Sequence, residues 1–305
     1  VIDLHCHTDF SDGSLDPLEL VDHALRVGIE TLAITDHDSL QGYDLARQYA
    51  EVRGLRLVCG VELSTHCRWS SRSAHLLGYF ESDPGASFRA WLEFLREGRR
   101  RRNTALLHKL RDLGIALSME ELQAIAHRQL GRPHFARLLV EKGYAVSLRE
   151  AFEVYLGETG LAWVDREEPL LEEAIARVSA AGGVASLAHP VRIGTDPVLL
   201  EDVVRSLKAS GLEAIECFHP EHSAADTETL SAIAARHGLA ITGGSDFHGS
   251  YKPEVHLGTG KGDLAIPAAC LEDLRRLLAR KQAGNSGASA VQESNEYILQ
   301  SREPQ

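Results

Sequence analysis

The sequence predicts an α/β chain, a closed or distorted (β/α) barrel of seven strands interrupted by one inserted helical cap. Short apolar, β-rich runs at 1–7, 31–37, 56–63, 73–80, 184–190, 214–219 and 240–247 read as strands. Amphipathic stretches of helix length stand between several of them, at 17–27, 172–181, 199–210 and 227–237. Gly28, Gly182 and Gly238 closely follow three of these, and glycine is the usual residue just past a helix end. Strand and helix in alternation imply a mostly parallel sheet, and seven strand candidates favour a closed barrel over an open sheet. Residues 86–165 break the rhythm with long Leu/Ala/Arg/Glu patterns, punctuated by Gly114, Gly131, Gly143 and Gly157. Helices are expected there near 88–113, 119–130, 133–142 and 148–155. The chain therefore divides into a first barrel part at 1–85, a helical cap at 86–165 and a second barrel part at 166–281. Gly, Ser, Gln and Glu dominate the tail at 282–305, which is expected to be disordered.

Composition bounds the function before any motif is read. A chain of 305 residues with 44% hydrophobic content can bury a full core. The formal net charge of −12 argues against wrapping duplex nucleic acid, which needs many free Lys and Arg for its phosphates. Five cysteines without CxxC spacing (Cys6, Cys59, Cys67, Cys217, Cys270) suit a reduced, cytoplasmic chain better than a disulfide scaffold. No run of about 18 apolar residues is available to span a membrane. Val1 already lies inside an apolar-alternating strand, so a short natural N-terminal segment is expected to precede it. Histidine is the outlier, with 15 residues.

The positions of those histidines carry the chemistry. The first strand ends Asp3-Leu4-His5-Cys6-His7, and a period of two puts both imidazoles on one face. Later strands supply His37, Glu62, His75, His189, Asp246 and His248 at or near their ends, and the first loop adds Asp12. In a parallel barrel such ends converge at one mouth. Six histidines and three carboxylates exceed what one four-coordinate zinc needs and suit two or three divalent ions sharing a bridging ligand. Mixed N/O ligation without thiolate fits Mn first, with Fe, Zn or Co as alternatives.

The order His5-x-His7, Ser11-Asp12-Gly13, Thr35-Asp36-His37-Asp38, Gly60-Val61-Glu62, His75, Ala188-His189-Pro190 and Gly244-Ser245-Asp246-Phe247-His248 resembles the polymerase and histidinol phosphatase (PHP) superfamily. The resemblance covers roughly 1–80 and 165–280. Within it the chain is similar to stand-alone phosphoesterases that include nucleoside 3′,5′-bisphosphate phosphatases and a 5′-to-3′ exoribonuclease of short RNAs. It implies a distorted (β/α)7 barrel with up to three ions at its mouth. One would be held by His5, His7, Glu62 and Asp246, a second by Glu62, His75 and His189, a third by Asp12, His37 and His248. It further implies phosphoester hydrolysis by a hydroxide bridging two ions, with Asp246, His248 and His189 as the catalytic candidates. A histidinol-phosphatase-like enzyme and a non-catalytic metal-binding PHP domain are the alternatives.

The cap carries the positive charge that the whole chain lacks. Arg99, Arg102 and Asn103 share one helix face, while Arg100 and Arg101 point elsewhere, towards Glu93 and Glu97. Arg132 and His134 flank Pro133, which is favoured at the first position of a helix, so both sit where free N–H groups attract anions. The segment 132–137 (Arg-Pro-His-Phe-Ala-Arg) also resembles the corresponding stretch of the nucleotide-directed relatives. Arg99, Arg102, Asn103, Arg132 and His134 are therefore the candidates for holding a small phosphorylated substrate, a nucleotide or short oligonucleotide. Glu158 and the loop Val191-Arg192-Ile193 depart from those relatives. His219 and His222 are further pocket candidates.

Overall fold

The seven strands form in sequence order around a single sheet: β1 (Ile2–Cys6), β2 (Thr31–Ile34), β3 (Arg56–His66), β4 (Ser73–Phe80), β5 (Val184–Ala188), β6 (Ala214–Phe218) and β7 (Ala240–Gly243). The computed structural model describes residues 1–70, 73–126 and 128–283. The sheet closes just past β7, where Asp246 N–H donates to His5 O at 2.8 Å and His7 N–H donates to Phe247 O at 3.0 Å.

One strand runs against the expected parallel grain. β4 is antiparallel to both β3 and β5. The reason is the connection: residues 67–72 are too few to return the chain across the sheet, since a parallel crossover takes a dozen residues or more. His75 consequently sits near the beginning of β4, paired with Ser64 on one side and Ala188 on the other. Reversal thus keeps it at the same mouth as the ends of the parallel strands.

Local chemistry accounts for the helices around the barrel. Asp16 caps α1 (Pro17–Arg26), with Glu19 completing a capping box and Leu20, Val21 and Ala24 buried. α7 (Leu171–Ala180), α8 (Pro197–Ala209) and α9 (Ala224–His237) bury Ile175, Val178, Val203, Leu207, Leu230 and Ile233 against Leu63, Leu76, Leu187 and Ile215 of the sheet. α2 (Gln41–Arg53) is absent from the helices read in the sequence, for it has no side-chain cap and buries only Gly42, Ala46 and Ala50. Gly42 must be small, because a Cβ there would meet Asp36 Oδ2 at 2.1 Å. A last helix, α10 (268–283), lays Leu271, Leu274 and Leu278 against Ile2, Tyr79, Val184 and Ala214, at the end of the barrel opposite the mouth. Residues 282 and 283, expected to be disordered, are helical and belong to α10, and the rest of the expected disordered tail lies outside the described residues.

The cap opens with α3 (Ala86–Asp112), 27 residues long, or roughly 40 Å at 1.5 Å per residue. Its first half belongs to the barrel core through Phe88, Trp91, Leu92 and Leu95. Its second half buries Leu106, Leu107 and Leu110 against α4 (Met119–Ile125), α5 (Arg132–Glu141) and α6 (Leu148–Ala151), in a separate apolar cluster with Phe135, Leu139 and Leu156. α6 runs on into a π-helical turn at Phe152–Leu156. No described helix is long and apolar enough to cross a membrane. All five cysteines are buried and unbridged.

Candidate metal and phosphate site

Close backbone approach builds the barrel mouth. Gly244 passes so near β1 that a Cβ would lie 2.2 Å from His5 Cβ. Asp36, fully buried, accepts from Thr8 N–H (2.7 Å), Thr8 Oγ1 (2.6 Å) and Ser11 Oγ (2.6 Å), which fixes the loop carrying Asp12. Asp3 accepts from Ser245 N–H and Gly258 N–H and so anchors the loop carrying Asp246. Three non-glycine residues adopt positive φ, namely Asp38 (55°), His189 (26°) and Asp246 (52°). Such strain persists only where surroundings over-determine it and tends to gather at functional sites. Here all three are pinned through backbone N–H groups, to Glu62 O, Glu216 Oε2 and His5 O respectively.

Within this frame the nine metal-capable side chains read from the sequence come together. His5, His7, Glu62 and Asp246 form one group. His7, Asp12, His37 and His248 form a second, and His37, Glu62 and His75 a third. His7 Nε2 lies 3.2 Å from both Glu62 Oε2 and Asp246 Oδ1, and His5 Nε2 lies 3.3 and 3.5 Å from the same two atoms. Glu62 Oε1 is 2.8 Å from both His75 Nδ1 and His189 Nε2, which places His189 with His75 and Glu62. Asp12 faces His37 Nε2 at 3.6 Å and His248 Nε2 at 3.3 Å.

The hydrogen bonds of the imidazoles show that this donor set fits divalent ions. His5 Nδ1 donates to Glu216 Oε1 at 2.9 Å, and His248 Nδ1 donates to the Asp246 carbonyl at 2.7 Å. In each neutral ring Nε2 is then a lone pair aimed at a carboxylate, an arrangement that repels unless a cation lies between. His5 Nε2, His7 Nε2, Asp12 Oδ1 and His37 Nδ1 are buried without a hydrogen-bond partner among the described residues. The carboxylates call for positive charge at the same place. Burial alone would depress His7, yet Asp246 and Glu62 push it up to about 9, so that without an ion a proton takes the cation's place. Burial would raise Asp12, yet His37 and His248 hold it well below its ordinary range. Buried, ionised oxygens facing imidazole lone pairs are ligands for hard or borderline ions.

A cavity of about 450 Å³ joins this cluster to the cap, lined by Asp12, His37, Glu62, His75, Asp246 and His248 on one side and Arg99, Arg102, Arg132 and Arg166 on the other. Buried Asp38 accepts from Arg99 at 2.7 Å and Arg166 at 3.3 Å, and Glu168 takes a second bond from Arg166 at 2.7 Å. Arg102 and Arg132 form no ion pair among the described residues. Arg102 Nε lacks any partner, and Arg132 lies over the Trp163 ring at 5.1 Å. Burial, and then Arg132, Arg99 and Arg166, push the Arg102 pKa down. Two guanidiniums without an ion pair in one wall are able to donate hydrogen bonds to anionic oxygens.

Asn103 and His134 stand elsewhere. Asn103 Nδ2 donates to Leu130 O at 2.7 Å, tying α3 to the approach of α5. His134 is buried, its Nδ1 accepting Gly131 N–H at 3.0 Å and its ring edge-on to Tyr251. Neither lines the cavity. His219 lies beneath the cluster, its Nε2 3.5 Å from Asp246 Oδ2, while His222 bonds the Cys217 carbonyl. Sequence reasoning missed Arg166 and Lys252 as site residues, noted Arg192 only as a departure, and counted Glu216 among the metal-capable strand residues without giving it a place in the ligand sets. Lys252 and Arg192 reach Asp246 Oδ2 at 2.7 and 3.1 Å. Only Glu216 left a usable signal, as an acid in the middle of an apolar strand.

The PHP domain profile matches residues 3–179, more than half the chain. The chain belongs to the PHP family. Among curated PHP relatives, a 5′-3′ exoribonuclease of Haemophilus influenzae is 34% identical over 246 residues, covering 81% of this chain and 89% of the relative. A 3′,5′-nucleoside bisphosphate phosphatase of Chromobacterium violaceum is 33% identical over 285 residues, covering 92% and 97%. In three dimensions a metal-dependent phosphoesterase from Bifidobacterium adolescentis superimposes with a TM-score of 0.80 at 30% identity, covering 90% of this chain and 96% of that one. The PHP profile ends before β5, so His189, Asp246 and His248 fall outside it. Barrel closure brings them back to His5 and His7.

The PHP fold also explains how Glu158 is accommodated. Its Oε1 accepts Ser73 N–H at 2.6 Å, binding the end of the cap to the start of β4. At this position an acid serves as a tie between cap and barrel.

Proposed function

We propose that this chain is a divalent-metal-dependent phosphoesterase acting on phosphomonoesters of nucleotides, such as nucleoside 3′,5′-bisphosphates, or on the 5′ end of short RNAs. The observation that carries this reading is the cavity that sets Arg102 and Arg132, neither in an ion pair among the described residues, opposite a cluster of buried imidazoles and carboxylates. Residues 1–85 and 166–281 act as the barrel that holds metal, and residues 86–165 as the cap that captures substrate. Two or three ions, Mn first and Fe, Zn or Co as alternatives, would be held by three ligand sets: His5, His7, Glu62 and Asp246; Glu62, His75 and His189; Asp12, His37 and His248. Bound there, they would supply Lewis acidity that acidifies water and draws charge from phosphoryl oxygens.

The chain's own groups do the rest. Arg102 and Arg132 take a phosphate dianion at the cap end, and Asp38 holds Arg99 and Arg166 in place beside it. Arg192 and Lys252 sit at Asp246 and offset negative charge gathered at the mouth. Asp246, His248 and His189 border the place where the ester would lie. His189 Nε2 lies 2.8 Å from Glu62 Oε1 and accepts from Arg192 at 3.2 Å, and burial holds its pKa down, so it stands as a neutral nitrogen donor beside that place. The buried, unbridged cysteines support residence in the reducing cytoplasm.

The test is phosphate release in Mn from adenosine 3′,5′-bisphosphate, histidinol phosphate and a 5′-phosphorylated dinucleotide, alongside the metal content of the purified protein. Release from the first or third supports the reading, release from histidinol phosphate alone redirects it, and release from none removes it. Arg132→Ala should raise KM by on the order of tenfold or more with a smaller change in kcat. Unchanged kinetics in that variant would sink the cap as a phosphate holder.

A further inference from the structure

One part of the cavity wall is neither metal-capable nor charged. Leu148 and Phe152 stand four residues apart on α6 and its continuation, so they share a helix face, and both line the cavity beside Pro133 and Arg132. Each also packs, half-buried, on the apolar cluster of the cap, which leaves one face towards the core and one towards the cavity. The π-helical turn begins at Phe152, whose carbonyl accepts Gly157 N–H at 2.8 Å. Single π turns are costly insertions that recur at functional sites, because they re-aim a side chain. A phosphate makes no use of a flat apolar wall. A planar ring carried next to a phosphate does.

We propose that Phe152, backed by Leu148 and Pro133, is a specificity-determining residue that stacks the nucleobase of the substrate while Arg102 and Arg132 hold its phosphate. This rests on the phosphoesterase reading and extends it, because it makes the base a recognised group. A stacked base contributes a sequence-tolerant preference worth on the order of tenfold to a hundredfold in affinity. The wall offers no hydrogen-bonding edge, so purines are favoured over pyrimidines only through ring area.

The experiment compares kcat/KM for phosphate release from adenosine 3′,5′-bisphosphate and from its abasic analogue, 1-deoxyribose 3,5-bisphosphate, in Mn. The wild-type chain should favour the base-bearing compound by about tenfold or more, chiefly through KM. Phe152→Tyr should keep that ratio, whereas Phe152→Leu, which retains apolar packing without a flat ring, should bring it close to one. Phe152→Ala should do the same where circular dichroism shows it folded. Equal use of both compounds by the wild type, or an unchanged ratio in Phe152→Leu, overturns the inference and leaves the phosphoesterase reading standing. No release from either compound overturns the inference, and the phosphoesterase reading then stands or falls on phosphate release from the 5′-phosphorylated dinucleotide.

Discussion

The two walls of the cavity are prepared in opposite ways. On the barrel side every strained residue is tied down: Asp38, His189 and Asp246 are each held at positive φ by a specific acceptor, and Asp3, Asp36 and Glu216 spend buried carboxylates on positioning loops and rings. On the cap side, Arg102 and Arg132 form no ion pair among the described residues, and Glu168 acts on both only from a distance. One wall stores rigidity and the other stores unmet charge. The difference separates what must be fixed to within a fraction of an ångström, the donors for metal ions, from what must await a ligand.

The largest way to test that division is to strip divalent ions with a chelator. Turnover should vanish and return with Mn, and the melting temperature should fall, since a hundredfold excess of ion over Kd stabilises by about 3 kcal/mol. An unchanged melting curve would mean that the mouth does not depend on ions for its integrity. Next comes Asp246→Asn, expected to lower kcat by at least about a hundredfold while far-UV circular dichroism stays as in the wild type. Asp38→Asn should be felt across the division. It leaves Arg99 and Arg166 facing an uncharged partner in a buried place, and denaturant melts should show a loss of about 3 kcal/mol or more. The smallest effect has the opposite sign. Arg102→Met removes an unpaired buried cation and should raise stability by on the order of 1 kcal/mol while KM rises. Were Arg102→Met destabilising by a similar amount, the guanidinium would have a partner and the contrast between the walls would fail.

What could be read in the sequence follows the same line. His5 and His7 were legible because a strand's period fixes their common face, and His37, Glu62, Asp246 and His248 because they stand at strand ends. Barrel topology turns chain order into proximity there. His75 was placed correctly for an incomplete reason: the short link at 67–72 makes β4 antiparallel, and reversal, not parallel convergence, brings that imidazole to the mouth. α2 escaped notice because its buried stripe is small residues, which carry little hydrophobic signal. Arg166 and Lys252 have no local pattern at all. Their role depends on partners such as Asp38 and Asp246 far along the chain. Asn103 and His134 stand at the expected helix positions, but the Asn103 amide donates to Leu130 O, His134 Nδ1 accepts Gly131 N–H, and neither side chain lines the cavity at the mouth.

α10 at the far end of the barrel has a kinetic meaning. Leu271, Leu274 and Leu278 lie with Tyr79 and Val184 across the bottom, and the Tyr79 hydroxyl bonds the Leu4 carbonyl. The barrel is therefore a blind alley, and whatever enters past the cap leaves past the cap. On the proposed reading, phosphate set free at the mouth would leave past the same arginines that hold the substrate, and the pace at which the cap lets its anion go would bound how often the site turns over.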